Sequence, residues 1–282
     1  MSQIRVAAIQ MVSRFDVEAN LSSAESLLQQ AAAEGVQLAV LPENFAVLDS
    51  GNLYQWGEQE RQQKRFTGFL AEQARRHRMQ IVGGTVPLRE RPDGTPVSGQ
   101  RVRAASLLLD QDGSTLARYD KLHLFDAAVG DSQGQYQESS IIEPGDRWVT
   151  SPAVCGTLGL TVCYDLRFPA LYQRLAAAGC DLITVPSAFT YHTGQAHWEA
   201  LLRARAIENQ VFVIAPNQGG EHSSKRRTWG HSMILDPWGE VLAQGESGPG
   251  LVIADLDLER LAEVQTAMPV RQHQRFTTAE LV

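Results

Sequence analysis

A strand that breaks into a turn and then a helix constrains this chain more than any other stretch. It reads Gly159-Leu160-Thr161-Val162-Cys163-Tyr164-Asp165-Leu166-Arg167-Phe168-Pro169. Leu158, Leu160 and Val162 alternate with Gly159 and Thr161, the period-2 pattern of a pleated strand. Pro169 suits the first turn of a helix, where its missing N–H needs no partner. Leu171, Leu175 and Ala178 then share one face of a helix over residues 169–178. Cys163 sits where the strand gives way to the turn. That position presents a nucleophile to a pocket, close to backbone N–H groups able to hold an oxyanion. A free cysteine at a strand end is also commonly a small buried hydrophobe. This stretch alone leaves both readings open.

Short apolar runs and helical periods alternate elsewhere. Residues 4–10 read as a strand. Residues 17–34 read as a helix, with Leu21, Ala24, Leu27, Leu28 and Ala31 at helical spacing and Gly35 as its stop. Residues 36–41 form a near-continuous apolar run, expected of a central strand covered on both faces, and lead into Pro42-Glu43-Asn44-Phe45. Residues 57–79 read as mostly helical and 80–86 as a strand. Strands 101–109 and 115–120 are joined by the turn Asp110-Gln111-Asp112-Gly113. Residues 121–150 have weak periodicity and many Gly, Ser and Gln, a loop long enough to be functional or mobile. Strands 181–186 and 211–216 flank a helix at 193–209. A hairpin (231–236 and 240–244), a strand (251–256) and a helix (258–267) follow. No repeat or linker interrupts the series, so the chain is expected to form one α/β domain over residues 1–282, sheets with helices on their outer faces.

The net charge of −7 argues against nucleic acid or an anionic membrane as the main partner. No run of about 18 apolar residues is present to span a membrane. The opening residues read as a first strand and not as a signal peptide. Cys155, Cys163 and Cys180 suggest no disulfide framework, and a reducing cytoplasm is the simplest home. Of 25 basic residues only Lys64, Lys121 and Lys225 are lysines. Lys121 stands apart, followed at once by Leu122-His123-Leu124-Phe125.

Glu43, Lys121 and Cys163 each follow directly on a strand. If those strands run parallel as neighbours, their carboxyl ends open into one crevice, the usual ligand site of open α/β sheets. The segments themselves are Leu41-Pro42-Glu43, Tyr119-Asp120-Lys121-Leu122-His123-Leu124-Phe125-Asp126 and Cys163-Tyr164-Asp165-Leu166-Arg167-Phe168-Pro169. In order and spacing they resemble the three signatures of the nitrilase superfamily of carbon–nitrogen hydrolases. The resemblance covers essentially the whole chain. Gln137-Glu138-Ser139 ahead of Glu143-Pro144-Gly145, Ala196-His197-Trp198-Glu199 and Trp229-Gly230-His231-Ser232 are similar to its Nit branch. Pro186-Ser187-Ala188-Phe189, residues 202–208 and Gly248-Pro249-Gly250-Leu251 resemble the deaminated-glutathione amidases more than the omega-amidases.

The resemblance implies a four-layer α-β-β-α sandwich, pairing of two copies or more through a helix-lined face, and neither metal nor organic cofactor. It implies Glu43 as general base, Lys121 as electrophilic stabiliser, Cys163 as nucleophile and Glu138 as a supporting carboxylate. The partner it implies is a small amide substrate, the α-keto analogue of glutathione, or a short amide such as α-ketoglutaramate in the omega-amidase alternative. Tyr164, Ser187, Phe189 and Arg167 are the candidate substrate-binding residues. A substrate bearing carboxylates needs cations, and Arg167 or the loop Lys225-Arg226-Arg227 could supply them. Against that stand a solvated turn for the loop and an ion pair with Asp165 for Arg167.

Other readings carry less. A Cys–His pair would draw on His192, His197 or His231. A metal hydrolase lacks H-E-x-x-H and C-x-x-C spacing, and the glycine pairs match no phosphate-loop pattern. A non-catalytic scaffold keeping the fold is the rival from another class. Tyr164 and Phe189 follow strand ends, where an aromatic residue lines a pocket mouth or joins the core.

Overall fold

Alternation along the strands sorts the side chains into layers. In Gln3–Gln10, Val6 and Ala8 face one apolar layer while Ala7 and Ile9 face another. In Leu38–Leu41, Leu38 and Val40 join the first pair and Ala39 and Leu41 the second. Both faces of this strand are buried, as its unbroken apolar run requires. Each branched side chain so buried contributes ~1.5–3 kcal/mol. These relations come from a computed structural model that describes residues 3–49, 51–130 and 134–276. Residues 131–133 of the expected long loop lie outside the described residues, as do the two chain ends.

Two sheets result. The first runs Gly250–Asp257, Gln3–Gln10, Leu38–Leu41, Gln80–Gly83, Arg103–Leu109, Val86–Leu88, with Thr115–Asp120 also paired to Arg103–Leu109. Gln3–Gln10, Leu38–Leu41 and Gln80–Gly83 are parallel and the other pairings antiparallel. The second runs Val241–Gln244, Met233–Leu235, Phe212–Ala215, Leu182–Thr184, Gly156–Leu160, Val149–Ala153, with Phe212–Ala215, Leu182–Thr184 and Gly156–Leu160 parallel.

Val6, Ala8, Leu38 and Val40 of the first sheet meet Leu158, Leu160, Phe212 and Ile214 of the second in the central layer. Helices Val17–Ala33 and Arg65–His77 cover the outer face of the first sheet through Leu21, Ala24, Leu28, Phe66, Leu70 and Ala74. Helices Pro169–Ala177 and Tyr191–Asn209 cover the second through Leu171, Tyr172, Leu175, Trp198 and Leu202. The architecture is the expected four-layer α-β-β-α sandwich.

Three local expectations change. The helical run 57–79 is two helices, Leu53–Gln63 and Arg65–His77, broken at Lys64 with φ +52°. The buried Glu60 carboxylate accepts from the N–H groups of Phe66 (2.6 Å) and Thr67 (3.2 Å), satisfying donors that the second helix leaves open. Strand 80–86 breaks at Gly84, which adopts φ +44°. The long loop carries a two-stranded ribbon, Asp126–Ala128 with Gln135–Gln137, and a short 3-10 turn, Glu138–Ser140.

Candidate active site

Glu43, Lys121 and Cys163 come together, but from strands that are not parallel neighbours. Glu43 follows Leu38–Leu41 and Lys121 follows the antiparallel strand Thr115–Asp120, both in the first sheet. Cys163 follows Gly156–Leu160 in the second. Stacking of the two sheets brings the end of the Cys163 strand to the rim where the two strand ends of the first sheet lie.

Each segment is pinned by its backbone. Beside Glu43, Asn44 sits at φ +58° and its N–H donates to Thr85 Oγ1 at 2.9 Å. The Glu43 carbonyl accepts from Gln218 Nε2 at 3.0 Å. Lys121 N–H donates to the Ala104 carbonyl at 3.0 Å, and its own carbonyl accepts from Gly145 N–H at 2.8 Å. Cys163 holds φ +46°, uncommon for a residue with a side chain, and its N–H donates to the Pro186 carbonyl at 2.9 Å.

Asp165 fixes the turn that carries the cysteine. It accepts from Val162 N–H (2.8 Å), Tyr119 O–H (2.6 Å) and His123 N–H (3.1 Å), and lies 2.7 Å from His123 Nδ1. Its partner is thus His123 and not Arg167, and the contact ties the cysteine turn to the segment after Lys121. Arg167 instead lies over the Phe189 ring at 5.1 Å and beside His197 Nδ1 at 3.3 Å.

The Lys121 ammonium is the centre of charge. It is 1% exposed and donates to Glu43 Oε1 at 2.8 Å and to Glu138 Oε2 at 2.8 Å. Burial works against its charge, but the carboxylates of Glu138 and Glu43 outweigh that and hold it well above the usual lysine range. Glu43 Oε2 accepts from Ala188 N–H at 2.9 Å, and Glu138 Oε2 from Phe125 N–H at 2.7 Å. Burial and the Glu43 charge push the Cys163 thiol well above its ordinary value, against the opposing pull of Lys121 and Ala188 N–H. A thiol and a carboxylate that line one cavity, with an ammonium bonded to that carboxylate, are groups able to act as nucleophile, proton acceptor and electrophile.

Glu43, Glu138 and Cys163 line a cavity of about 300 Å³, together with Ala188, Tyr136 and Arg226 among others. A smaller recess beside it, about 20 Å³, is lined by Cys163, Tyr164, Arg167, Phe189 and Thr190. Phe189 is otherwise buried against Trp198, with ring centroids 5.1 Å apart. Ser187 is fully buried; its hydroxyl donates to the Val185 carbonyl at 3.0 Å, and its N–H to Pro216 at 2.9 Å. It fixes the backbone ahead of Ala188 and lines neither space. Of the basic loop, Lys225 and Arg227 are exposed, whereas Arg226 faces the cavity. His192, His197 and His231 line neither space.

Sequence reasoning missed Ala188, whose contribution is a backbone N–H that no residue letter announces. It also missed the Tyr119–Asp165–His123 link, for which the placement of Tyr119 and His123 on either side of Lys121 was the available signal. Among the described residues, no helix is long and apolar enough to cross a membrane.

Comparison with known proteins agrees with this fold. The profile of the carbon–nitrogen hydrolases matches residues 5–266. A deaminated glutathione amidase of Synechocystis sp. is 43% identical over 275 residues, 96% of this chain and 97% of that protein. Omega-amidase NIT2 of Mus musculus is 35% identical over 98% of this chain and 96% of its own length. Among solved structures, the C. elegans NitFhit protein superposes with a TM-score of 0.87 at 35% identity, covering 98% of this chain and 66% of that one.

Proposed function

Since the chain belongs to the carbon–nitrogen hydrolase family, we propose that it cleaves the amide bond of deaminated glutathione through a thioester on Cys163. The observation that carries this reading is the buried Lys121 ammonium held at 2.8 Å from both Glu43 and Glu138, two carboxylates that line the same cavity as Cys163. The substrate assignment draws on the Synechocystis relative.

In this mechanism Glu43 takes the thiol proton as Cys163 sulfur attacks the scissile carbonyl carbon. A base is needed at that moment, because the thiol's raised pKa keeps it protonated at neutral pH. Negative charge collects on the carbonyl oxygen, where Lys121 and the Tyr164 N–H receive it. Loss of one such donor typically costs ~3 kcal/mol, about a hundredfold in rate. Glu43 returns the proton to the nitrogen, and cysteinylglycine leaves as an amine. Water then gives a proton to Glu43 as it attacks the thioester. The 2-oxoglutarate product departs, and Cys163 takes its proton back. Glu138 positions Lys121 throughout. Three free cysteines fit a reducing cytoplasm. Exposed Ile207 and Trp238 offer apolar area for pairing two copies.

A side-by-side assay tests the reading. Purified protein is given deaminated glutathione or α-ketoglutaramate, with Cys163→Ala as the blank. Preference for the peptide-like substrate is expected. Preference for the short amide would make the protein an omega-amidase. Activity on neither, with no selective alkylation of Cys163, would favour a scaffold.

A further inference from the structure

The cavity is also lined by a cation, Arg226, that no carboxylate among the described residues neutralises. Arg226 lies on a loop, residues 220–228, that is built and anchored. Thr228 N–H donates to the Gly220 carbonyl at 3.0 Å, and His222 N–H to the Arg226 carbonyl at 2.9 Å. The buried His222 ring bonds Ser13 O at 2.7 Å and Thr228 Oγ1 at 2.6 Å, fastening the loop to the chain after the first strand. From this base the Arg226 side chain reaches the cavity, its guanidinium carbon 5.7 Å from the Tyr136 ring centroid. Its Nε is buried without a hydrogen-bond acceptor, and among the described residues no carboxylate pairs with the guanidinium. The carboxylates around the same cavity are engaged elsewhere. Glu43 and Glu138 hold Lys121, and Asp49 accepts from Gly51 N–H at 3.2 Å and Asn52 Nδ2 at 2.6 Å.

A planar guanidinium with a buried, unmatched N–H is a ready receptor for a carboxylate. We propose that Arg226 is the specificity-determining residue of the cavity, holding a carboxylate of the amide substrate and selecting anionic amides over neutral ones. The assignment rests on the amidase reading above and adds to it which side chain reads the substrate's charge. The other cation near the thiol, Arg167, stacks on Phe189 in the smaller recess and stands beside His197.

Two measurements test it. The first compares Arg226→Gln and Arg226→Lys with the unmodified protein on deaminated glutathione and on pentanamide, an amide without a carboxylate. Arg226→Gln is expected to raise KM for deaminated glutathione by about 10- to 100-fold, with little change in kcat and a much smaller effect on kcat/KM for pentanamide. Arg226→Lys, which keeps the charge and loses the fork, is expected to fall between. Equal loss on both amides, or no loss on either, would overturn the proposal. The second is calorimetric binding of deaminated glutathione to Cys163→Ala, with and without Arg226→Gln, which needs no turnover. A 10- to 100-fold weakening supports the role of Arg226 even if the unmodified protein hydrolyses neither amide, a result that would instead sink the amidase reading. Unchanged affinity, or no binding to Cys163→Ala, would overturn the role of Arg226.

Discussion

Lys121 is the residue on which stability and chemistry are hardest to separate. Its ammonium keeps two buried or half-buried carboxylates apart. Lys121→Met therefore removes the proposed electrophile and also leaves Glu43 and Glu138 facing one another without a counter-charge. Breaking such a pair typically costs ~3–5 kcal/mol of stability. Adding Glu138→Gln to Lys121→Met should recover part of the melting temperature and none of the turnover. Recovery of turnover would show that Lys121 serves the fold alone. His222 gives a second effect at this scale. Burial, with Arg226 and Arg14 nearby, pushes its imidazole from an ordinary 6.5 down to about 4. Between those values the unfolded chain takes up a proton that the folded chain refuses. Stability is therefore complete above about pH 6.5 and falls as pH drops toward about 4, by about 3 kcal/mol in total. Denaturant unfolding at pH 7 and pH 4.5 should show that loss shrinking in His222→Gln, and an undiminished loss would assign it to other groups.

At the scale of elements, two glycines set the positions of Glu43 and Lys121. A Cβ on Gly84, already at φ +44°, would stand 2.0 Å from the Pro42 carbonyl oxygen. A Cβ on Gly145 would stand 2.1 Å from the Asp120 carbonyl oxygen. In both cases the obstacle is backbone immediately before a proposed catalytic residue, so it yields only by moving that residue. Displacements of about 1 Å can cost about a hundredfold in rate. Gly84→Ala and Gly145→Ala should each lower kcat at least tenfold in folded protein, as checked by circular dichroism and turnover together; unchanged kcat would mean the backbone yields elsewhere. The cysteine turn was legible in the sequence, because strand alternation and Pro169 mark its two ends. So was the strand feeding Glu43, from its unbroken apolar run. The break at Lys64 was not, since neither glycine nor proline marks it and its cause is the Glu60 side chain capping the next helix. Nor was Gly84, which breaks a run that otherwise reads as one strand.

At the scale of the whole molecule, the apolar pattern specified helices on sheets but not which sheets face each other. Period-2 alternation tells that Leu38 and Ala39 part company; it does not tell that Leu38 meets Leu158 and Phe212 of a second sheet. The four-layer sandwich was therefore legible through family resemblance, and the reading of three parallel neighbours failed because it placed in one sheet what the fold divides between two. The same stacking joins Glu43 to Ala188, 145 positions along the chain, while the strand order of the first sheet brings it to Lys121, 78 positions away. Pairings at such separations come from the global arrangement and leave no local mark. This rim of the sandwich is proposed to pass an acyl group through Cys163. Rapid-quench mass spectrometry during turnover of deaminated glutathione tests it most directly, with peptide mapping of the trapped protein. The expected result is a 2-oxoglutaryl group on the Cys163 peptide, released by hydroxylamine as a thioester is, and absent from Cys163→Ala, which should not turn over. An acyl group on any other residue, or turnover surviving in Cys163→Ala, would contradict it.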